Sequence, residues 1–341
     1  MFIKLKALLL VLCFSCVTLA YDFKPVMIYD GEVILDNAWN EAVHTGIKKF
    51  ENKFGIQVKE ARIFANNKTP NAKTLAEAVF SHAKAGFNPI MINDFDNETM
   101  RKIVRQEPKL RFIVFNGTYN VPNAHFFMFS YQEAAFLAGY LAAKKSKNKK
   151  LGFIGGRDIS GIRNSLCGYI KGARHAFAKV EVEFTFISDA FDGWNSPQLA
   201  YEIAMKQING GVDVIFAAAG ASSPGALKAA HEKGVYSIGT DSNQNNLYPG
   251  SVLTSVLVNV GDAVYRALVA AYRNIWREQL KILGLQENGV GLAFDQHNAP
   301  LISAGLKAEI DQLRADIILK KIDLPNYVIT RQCIDQHGLI F

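Results

Sequence analysis

An α/β fold made of two parallel-sheet lobes is predicted by three features of this sequence. Short apolar runs alternate with amphipathic helical stretches from Pro25 almost to the end, the rhythm of strands joined by helical crossovers. The chain has 341 residues, more than one core comfortably organises. Its composition, 49% apolar and 20% charged, belongs to a folded chain and not to a disordered one.

Taken in order, residues 1–20 read as a secretory signal. Lys4 and Lys6 supply the positive start, Ala7 to Phe14 the apolar stretch, and Thr18-Leu19-Ala20 the cleavage site. The apolar stretch is too short to span a bilayer. A rival reading cleaves before Cys16 and leaves a lipid-anchored protein, but Cys13-Phe14-Ser15-Cys16 lacks the usual Leu three residues before the Cys. Val26 to Tyr29 then forms a strand, followed by a helix with Trp39, Val43, Ile47, Phe50 and Phe54 at helical spacing. Val58 to Phe64 leads into a helix that Thr69 caps and Pro70 opens. Pro89 to Ile92 and Phe112 to Phe115 complete the first lobe. The second opens at Ser130, where Ser130-Tyr131-Gln132-Glu133 has the form of a capping box. Its strands are Leu151 to Ile154, Val182 to Ile187, Val212 to Ala217, Val235 to Ile238 and Val252 to Val258. Ser196-Pro197 and Ser223-Pro224 start two of its helices, and a last long helix runs from Val260 to Trp276.

The formal charge of +7 drops to +5 once Lys4 and Lys6 are removed. The excess is spread out except at Lys144 to Lys150, which reads as a solvated helix end and not as a nucleic-acid surface. Cys167 and Cys333 remain after processing. An oxidising compartment permits their pairing, but their spacing is neither a disulfide framework nor a metal site, so two inert thiols are the default. Gly152-Phe153-Ile154-Gly155-Gly156 is not a dinucleotide fingerprint, and no phosphate loop, zinc-protease or nucleophile-elbow motif occurs. No catalytic residue, metal ligand or cofactor is therefore assigned.

In parallel sheets, ligands gather at the carboxyl ends of strands, where loops and helix N-termini converge. The polar residues there are Asp30, Asn93, Asp94, Asn116, Gly155, Gly156, Gly220 and Asp241, drawn from both lobes. Trp194, in a turn-rich loop before a helix, is either a lid on the core or a stacking platform. Asp36 and Asn37 are candidate contacts that can equally cap the helix carrying Trp39. Trp39 itself reads as core.

Several stretches resemble the basic membrane protein (Bmp) family of ABC-transporter substrate-binding proteins, which includes purine-nucleoside receptors. They include Asp36-Asn37-Ala38-Trp39-Asn40-Glu41, Glu133-Ala134-Ala135-Phe136-Leu137-Ala138-Gly139 and Ile238-Gly239-Thr240-Asp241. The resemblance implies a type I periplasmic-binding-protein fold, two Rossmann-like lobes joined by a hinge, with cargo clamped between them and a base held by aromatics. It sets Asp30 as the first-strand carboxylate, Trp194 as the second-lobe stacking aromatic, Gly220 as a backbone contact and Asp241 as the sugar-binding carboxylate. The lobes are expected at 21–127 plus about 256–284, and at 128–255 plus about 285–341. Three positions depart from the family pattern. The first loop is shortened to Gly31-Glu32-Val33-Ile34-Leu35, leaving the first-lobe aromatic without a counterpart; Val258 stands where a Lys is expected; and Asn243 replaces an acid.

The expected role is ligand capture for an ABC permease in the inner membrane, with a nucleoside as cargo, purine favoured, and no nucleic-acid partner. The alternatives are another small polar metabolite, a secreted enzyme on a similar fold, or a lipid-anchored adhesin or sensor. Mass spectrometry of the mature protein is expected to find Tyr21 at the N-terminus. A first residue of lipid-modified Cys16 would overturn the signal-peptide reading.

Overall fold

The computed structural model describes residues 22–31, 33–63, 71–93, 97–117, 121–276, 279–324, 326–335, 338–339 and 341. The signal sequence, Cys16, Thr69 and Pro70 lie outside them. Two six-stranded sheets carry the chain. The first contains β1 (Val26–Tyr29), β2 (Lys59–Arg62), β3 (Ile90–Asn93), β4 (Phe112–Phe115) and β5 (Ala124–Phe129), and the second contains β6 (Lys150–Gly155), β7 (Glu181–Phe186), β8 (Val214–Ala218), β9 (Tyr236–Asp241) and β10 (Val252–Val258). Then β11 (Gln279–Leu283) returns to the first sheet beside β5, and β12 (Val290–Leu292) joins the second beside β10. All pairings in these sheets are parallel except β10 with β12. The chain therefore passes between the sheets near residues 130, 259 and 285.

Strands β1 and β4 are buried along their whole length, which is why they read as unbroken apolar runs. β5, β11 and β12 are strands that the apolar pattern did not mark. β5 is apolar apart from His125 and runs straight into the next helix, so no turn residues announce it.

Helices α1 (Trp39–Phe54), α2 (Ala72–Lys84) and α3 (Asn97–Gln106) serve the first sheet, and α4 (Tyr131–Lys145), α5 (Ser160–Ala176), α6 (Pro197–Asn209) and α7 (Ser223–Glu232) the second. They are followed by α8 (Val260–Tyr272), α9 (Ala304–Ile318) and α10 (Tyr327–Thr330). Three start signals act differently from their sequence reading. Asn71 caps α2, accepting from the amides of Lys73 and Thr74 at 3.0 and 3.1 Å. Ser130 makes no side-chain cap bond; Glu133 instead accepts the Leu285 amide at 2.7 Å, tying α4 to the third crossing. Ser223 is the first residue of α7, and its hydroxyl is bonded back to β8.

Helices exchanged between the halves knit them together. α4 leaves the first sheet and packs on α5 of the second, while α8 leaves the second and packs on α1 of the first. Both contacts are backbone-close. A Cβ at Gly139 would strike the Tyr169 carbonyl, one at Gly172 the Phe136 carbonyl, and one at Gly46 the Gly261 carbonyl. The lysines after α4 tie down its end: Lys149 Nζ donates to the Ala143 and Ser146 carbonyls at 2.9 and 2.7 Å, and Lys145 Nζ to that of Leu301 at 2.8 Å. Asp213 holds the following turn, accepting from the amides of Lys147 and Asn148 at 2.7 and 2.9 Å.

The two cysteines are not free thiols. Cys167 on α5 and Cys333 form a disulfide with Cα atoms 5.6 Å apart, and both are buried. Spacing could not reveal the bond, because 166 residues separate the partners. Closing so long a loop is worth about 5 kcal/mol by chain entropy alone. Cys333→Ser is expected to destabilise the protein by about 2–5 kcal/mol, with the C-terminal segment becoming the first site of limited proteolysis. A thermal midpoint and cleavage pattern like those of the parent would contradict this.

Candidate functional site

Because the strands of each sheet run parallel, their carboxyl ends collect along one edge, and the two edges bound a common cavity of about 640 Å³. That volume suits a small-molecule site. Asp30 follows β1, Asn93 ends β3, Asn116 follows β4, Gly220 follows β8 and Asp241 ends β9, and all five line the cavity. Asn116 and Asp241 have φ of 64° and 63°, turning each chain sharply out of its strand.

A hydrogen-bonded row spans the first edge. Asn93 Nδ2 donates to Asp30 Oδ2 at 3.0 Å, Asn116 Nδ2 to Asn93 Oδ1 at 2.9 Å, and the Tyr131 hydroxyl to Asn116 Oδ1 at 3.0 Å. Burial, reinforced by the Asp241 carboxylate, holds the Tyr131 phenol well above its ordinary range. Burial also pushes Asp30 up to about 6, partly offset by the Asn93 bond and by Arg157. Asp241 is pushed up to about 7 by burial and then by the neighbouring Asp36 carboxylate.

Trp194 lies in a short 3-10 turn, Phe191–Trp194, that packs on backbone. Gly156 and Gly220 provide the space: a Cβ at Gly156 would strike the indole, and Gly220, at φ 55°, sits 3.6 Å from it measured the same way. Ser222 Oγ donates to the Gly193 carbonyl at 2.8 Å and accepts the Ser196 amide at 2.7 Å, holding the turn. Gly155 and Gly156 thus serve close packing. Trp194 lines the cavity, as a platform would.

The remaining candidates separate. Asp36 is buried and lines the wall, but its oxygens accept from the amides of Ala38, Asn40 and Glu41 at 2.9, 3.2 and 3.1 Å. It is the cap of α1. Asn37 stands apart: exposed and outside the cavity lining, it offers its carbonyl to Gln244 Nε2 at 2.9 Å. Beside it, Ser242 Oγ donates to the Ala38 carbonyl at 3.0 Å, so residues 242–244 of the second half clasp residues 37–38 of the first. Asp94 lies outside the described residues.

Other wall residues were missed. Trp39, read as core, lines the cavity from the first half; it meets Phe129 edge-on at 5.5 Å, and its indole N–H has no partner among the described residues. Helical periodicity assigned it inward, but the first residue of a helix on a cavity edge can face both core and cavity. Arg157 also faces the cavity, its guanidinium 4.3 Å from the Phe191 ring centroid and its Nε 3.1 Å from the Asp189 carbonyl. An Arg directly after the paired glycines of a strand end was the available signal. Val328 and Arg331 arrive from the C-terminal segment, and nothing local marked them.

Two departures from the family pattern fall outside the wall. Val258 is buried in the core, and Asn243 donates to Asp295 Oδ2 at 2.7 Å. No group of His, Cys, Asp and Glu suited to a metal ion occurs among the described residues, and no helix there is long and apolar enough to cross a membrane. Anionic, hydrogen-bonding and aromatic groups converge from two directions, an arrangement that grips a polar, flat solute.

Comparison with known proteins agrees with this geometry. Residues 23–327 match the Bmp family, described as ABC transporter substrate-binding protein PnrA-like. Basic membrane protein A of Borreliella burgdorferi is 30% identical over 312 residues, covering 89% of this chain and 88% of that protein. Basic membrane protein A2 of Borrelia garinii subsp. bavariensis is 28% identical, covering 94% and 96%. Among solved structures, an ABC transporter solute-binding protein from Aeropyrum pernix superposes with a TM-score of 0.81 at 20% identity, covering 89% of this chain and 93% of its own. The last likeness shows the type I two-lobed fold.

The carboxylates generate a pH prediction. Folding raises the affinity of Asp30 and Asp241 for protons above that of the unfolded chain, so the native state binds more protons between about pH 4 and 7. Their contribution is fully favourable below that window and is lost as pH rises through about 6 and 7. Thermal midpoints of the unliganded protein are expected to fall across this range, and Asp241→Asn to flatten the fall near neutrality. An identical slope in the variant would show that Asp241 is not dehydrated.

Proposed function

We propose, from the premise that this chain belongs to the Bmp family of PnrA-like ABC transporter substrate-binding proteins, that it captures a nucleoside, purine favoured, between its lobes. The family consists of binding proteins, not enzymes, and its role implies a small-molecule ligand and a transporter permease. The loaded form is delivered to an ABC permease in the inner membrane, with the periplasm as the place of capture.

One observation carries the cargo assignment. Two carboxylates, Asp30 and Asp241, and two indoles, Trp39 and Trp194, line one cavity, with one of each from either sheet's half. Indole faces bury a flat heterocycle. A carboxylate accepts two vicinal ribose hydroxyls through charge-assisted bonds, which are stronger than neutral ones. Asp241 takes the sugar and Trp39 and Trp194 the base, so Trp39 fills the place of the first-lobe aromatic.

Hinge motion accompanies capture. The crossings near residues 130, 259 and 285 support a division in which about 256–284 belongs with the first lobe and 285–341 with the second. Cargo that touches both lobes favours the closed arrangement by its differential contacts.

Thermal-shift and calorimetric titrations with adenosine, guanosine, inosine and uridine test this reading. A purine nucleoside is expected to raise the thermal midpoint, and Trp194→Ala to weaken its binding by about tenfold to a hundredfold, the usual worth of one stacked base. If every nucleoside leaves the midpoint unchanged, the cargo is some other polar metabolite.

A further inference from the structure

Asp30, Asn93, Asn116 and Tyr131 form a row whose hydrogen bonds run in one direction, and that direction has a chemical consequence. Ionised Asp30 only accepts, so Asn93 must turn its NH2 toward it, as it does at 3.0 Å. The Asn93 carbonyl then faces Asn116, which must present its own NH2, at 2.9 Å. The Asn116 carbonyl is left facing Tyr131, which donates its proton at 3.0 Å. Reversing either amide would set two acceptors or two donors against each other. Tyr131, fixed as a donor at the first residue of α4, closes the row from the side opposite Asp30.

Each amide nitrogen carries two hydrogens, and the row uses one of each. All four residues line the cavity, at the ends of β1, β3 and β4 and at the crossing that follows β5. The strands lie in the order β1, β3, β4 across the sheet, so the edge offers an acceptor, then a donor, then a donor. The complementary solute edge is donor, acceptor, acceptor. A 6-oxopurine presents that sequence with ring N1–H, O6 and N7, and guanine adds a second donor beside N1 for the Asp30 carboxylate. Adenine presents acceptor, donor, acceptor and mismatches the row whichever way it is turned.

Resting on the nucleoside reading above, we propose that this row selects 6-oxopurine nucleosides, guanosine and inosine, over adenosine, and that Tyr131 is the positioning residue that fixes its polarity. Asp30 accepts from N1–H, Asn93 donates to O6 and Asn116 donates to N7.

Calorimetric titration of the processed protein at neutral pH provides the test. Guanosine and inosine are expected to bind at least about tenfold more tightly than adenosine, since a mismatched buried polar pair costs on that order. The probe 7-deazaguanosine, which lacks the N7 acceptor, is expected to lose about tenfold relative to guanosine. Tyr131→Phe is expected to bring the inosine-to-adenosine ratio toward parity by freeing the Asn116 amide to turn. A purely structural tyrosine would weaken both nucleosides equally and leave the ratio intact, which would overturn its positioning role. Equal or tighter binding of adenosine by the parent protein overturns the selectivity while leaving the nucleoside reading in place. Silence toward every nucleoside overturns both.

Discussion

Carboxylates held in the gap between two sheet edges are the constraint on which this molecule turns. Parallel strands oblige Asp30 and Asp241 to emerge where two sheet edges confront one another, and Asp36 lies close enough to raise Asp241 further. Asp36 is satisfied by three backbone amides at the start of α1. Asp30 has the Asn93 amide and the field of Arg157, while the Asp241 carboxylate meets no hydrogen-bond donor among the described residues. Charges removed from water without full compensation are expensive. A solute rich in hydroxyls and ring N–H groups relieves that cost, and an apolar one does not.

Such a site works only if its walls are stiff, and the stiffness comes from backbone approaching backbone. Glycines let α4 lie against α5 and α8 against α1 with no intervening side chain. Each helix leaves one sheet and serves the other, so neither half has a complete set of covering helices from a single stretch of chain. Glu133 adds a polar tie from α4 to the third crossing, and the Cys167–Cys333 bond anchors the segment that carries Val328 and Arg331 to the wall.

The departures from the family pattern are accommodated locally. The amide at 243 pairs with Asp295, which also accepts from Asn245 Nδ2 at 3.0 Å. Val258 belongs to the apolar core beneath β10, where a charge would need a partner. The shortened first loop is followed by Trp39, which opens α1 and lines the same cavity as Trp194. Sequence spacing concealed this: one residue can satisfy a helical apolar stripe and still line a cavity.

What the sequence by itself determined is the repeating local pattern. Buried parallel strands need continuous apolar residues, and their crossover helices need one apolar stripe, so the two-sheet α/β architecture and the polar strand ends Asp30, Asn93, Asn116, Gly220 and Asp241 were legible. Whatever depends on residues distant in the chain was decided by tertiary structure alone. The Cys167–Cys333 pairing, the acceptance by Glu133 of an amide from another crossing instead of from its own helix cap, the entry of Arg331 and Val328, and the one-way row from Tyr131 to Asp30 all join elements whose proximity no local spacing encodes. Periodicity reports which side of an element is apolar. Only packing states what lies opposite it.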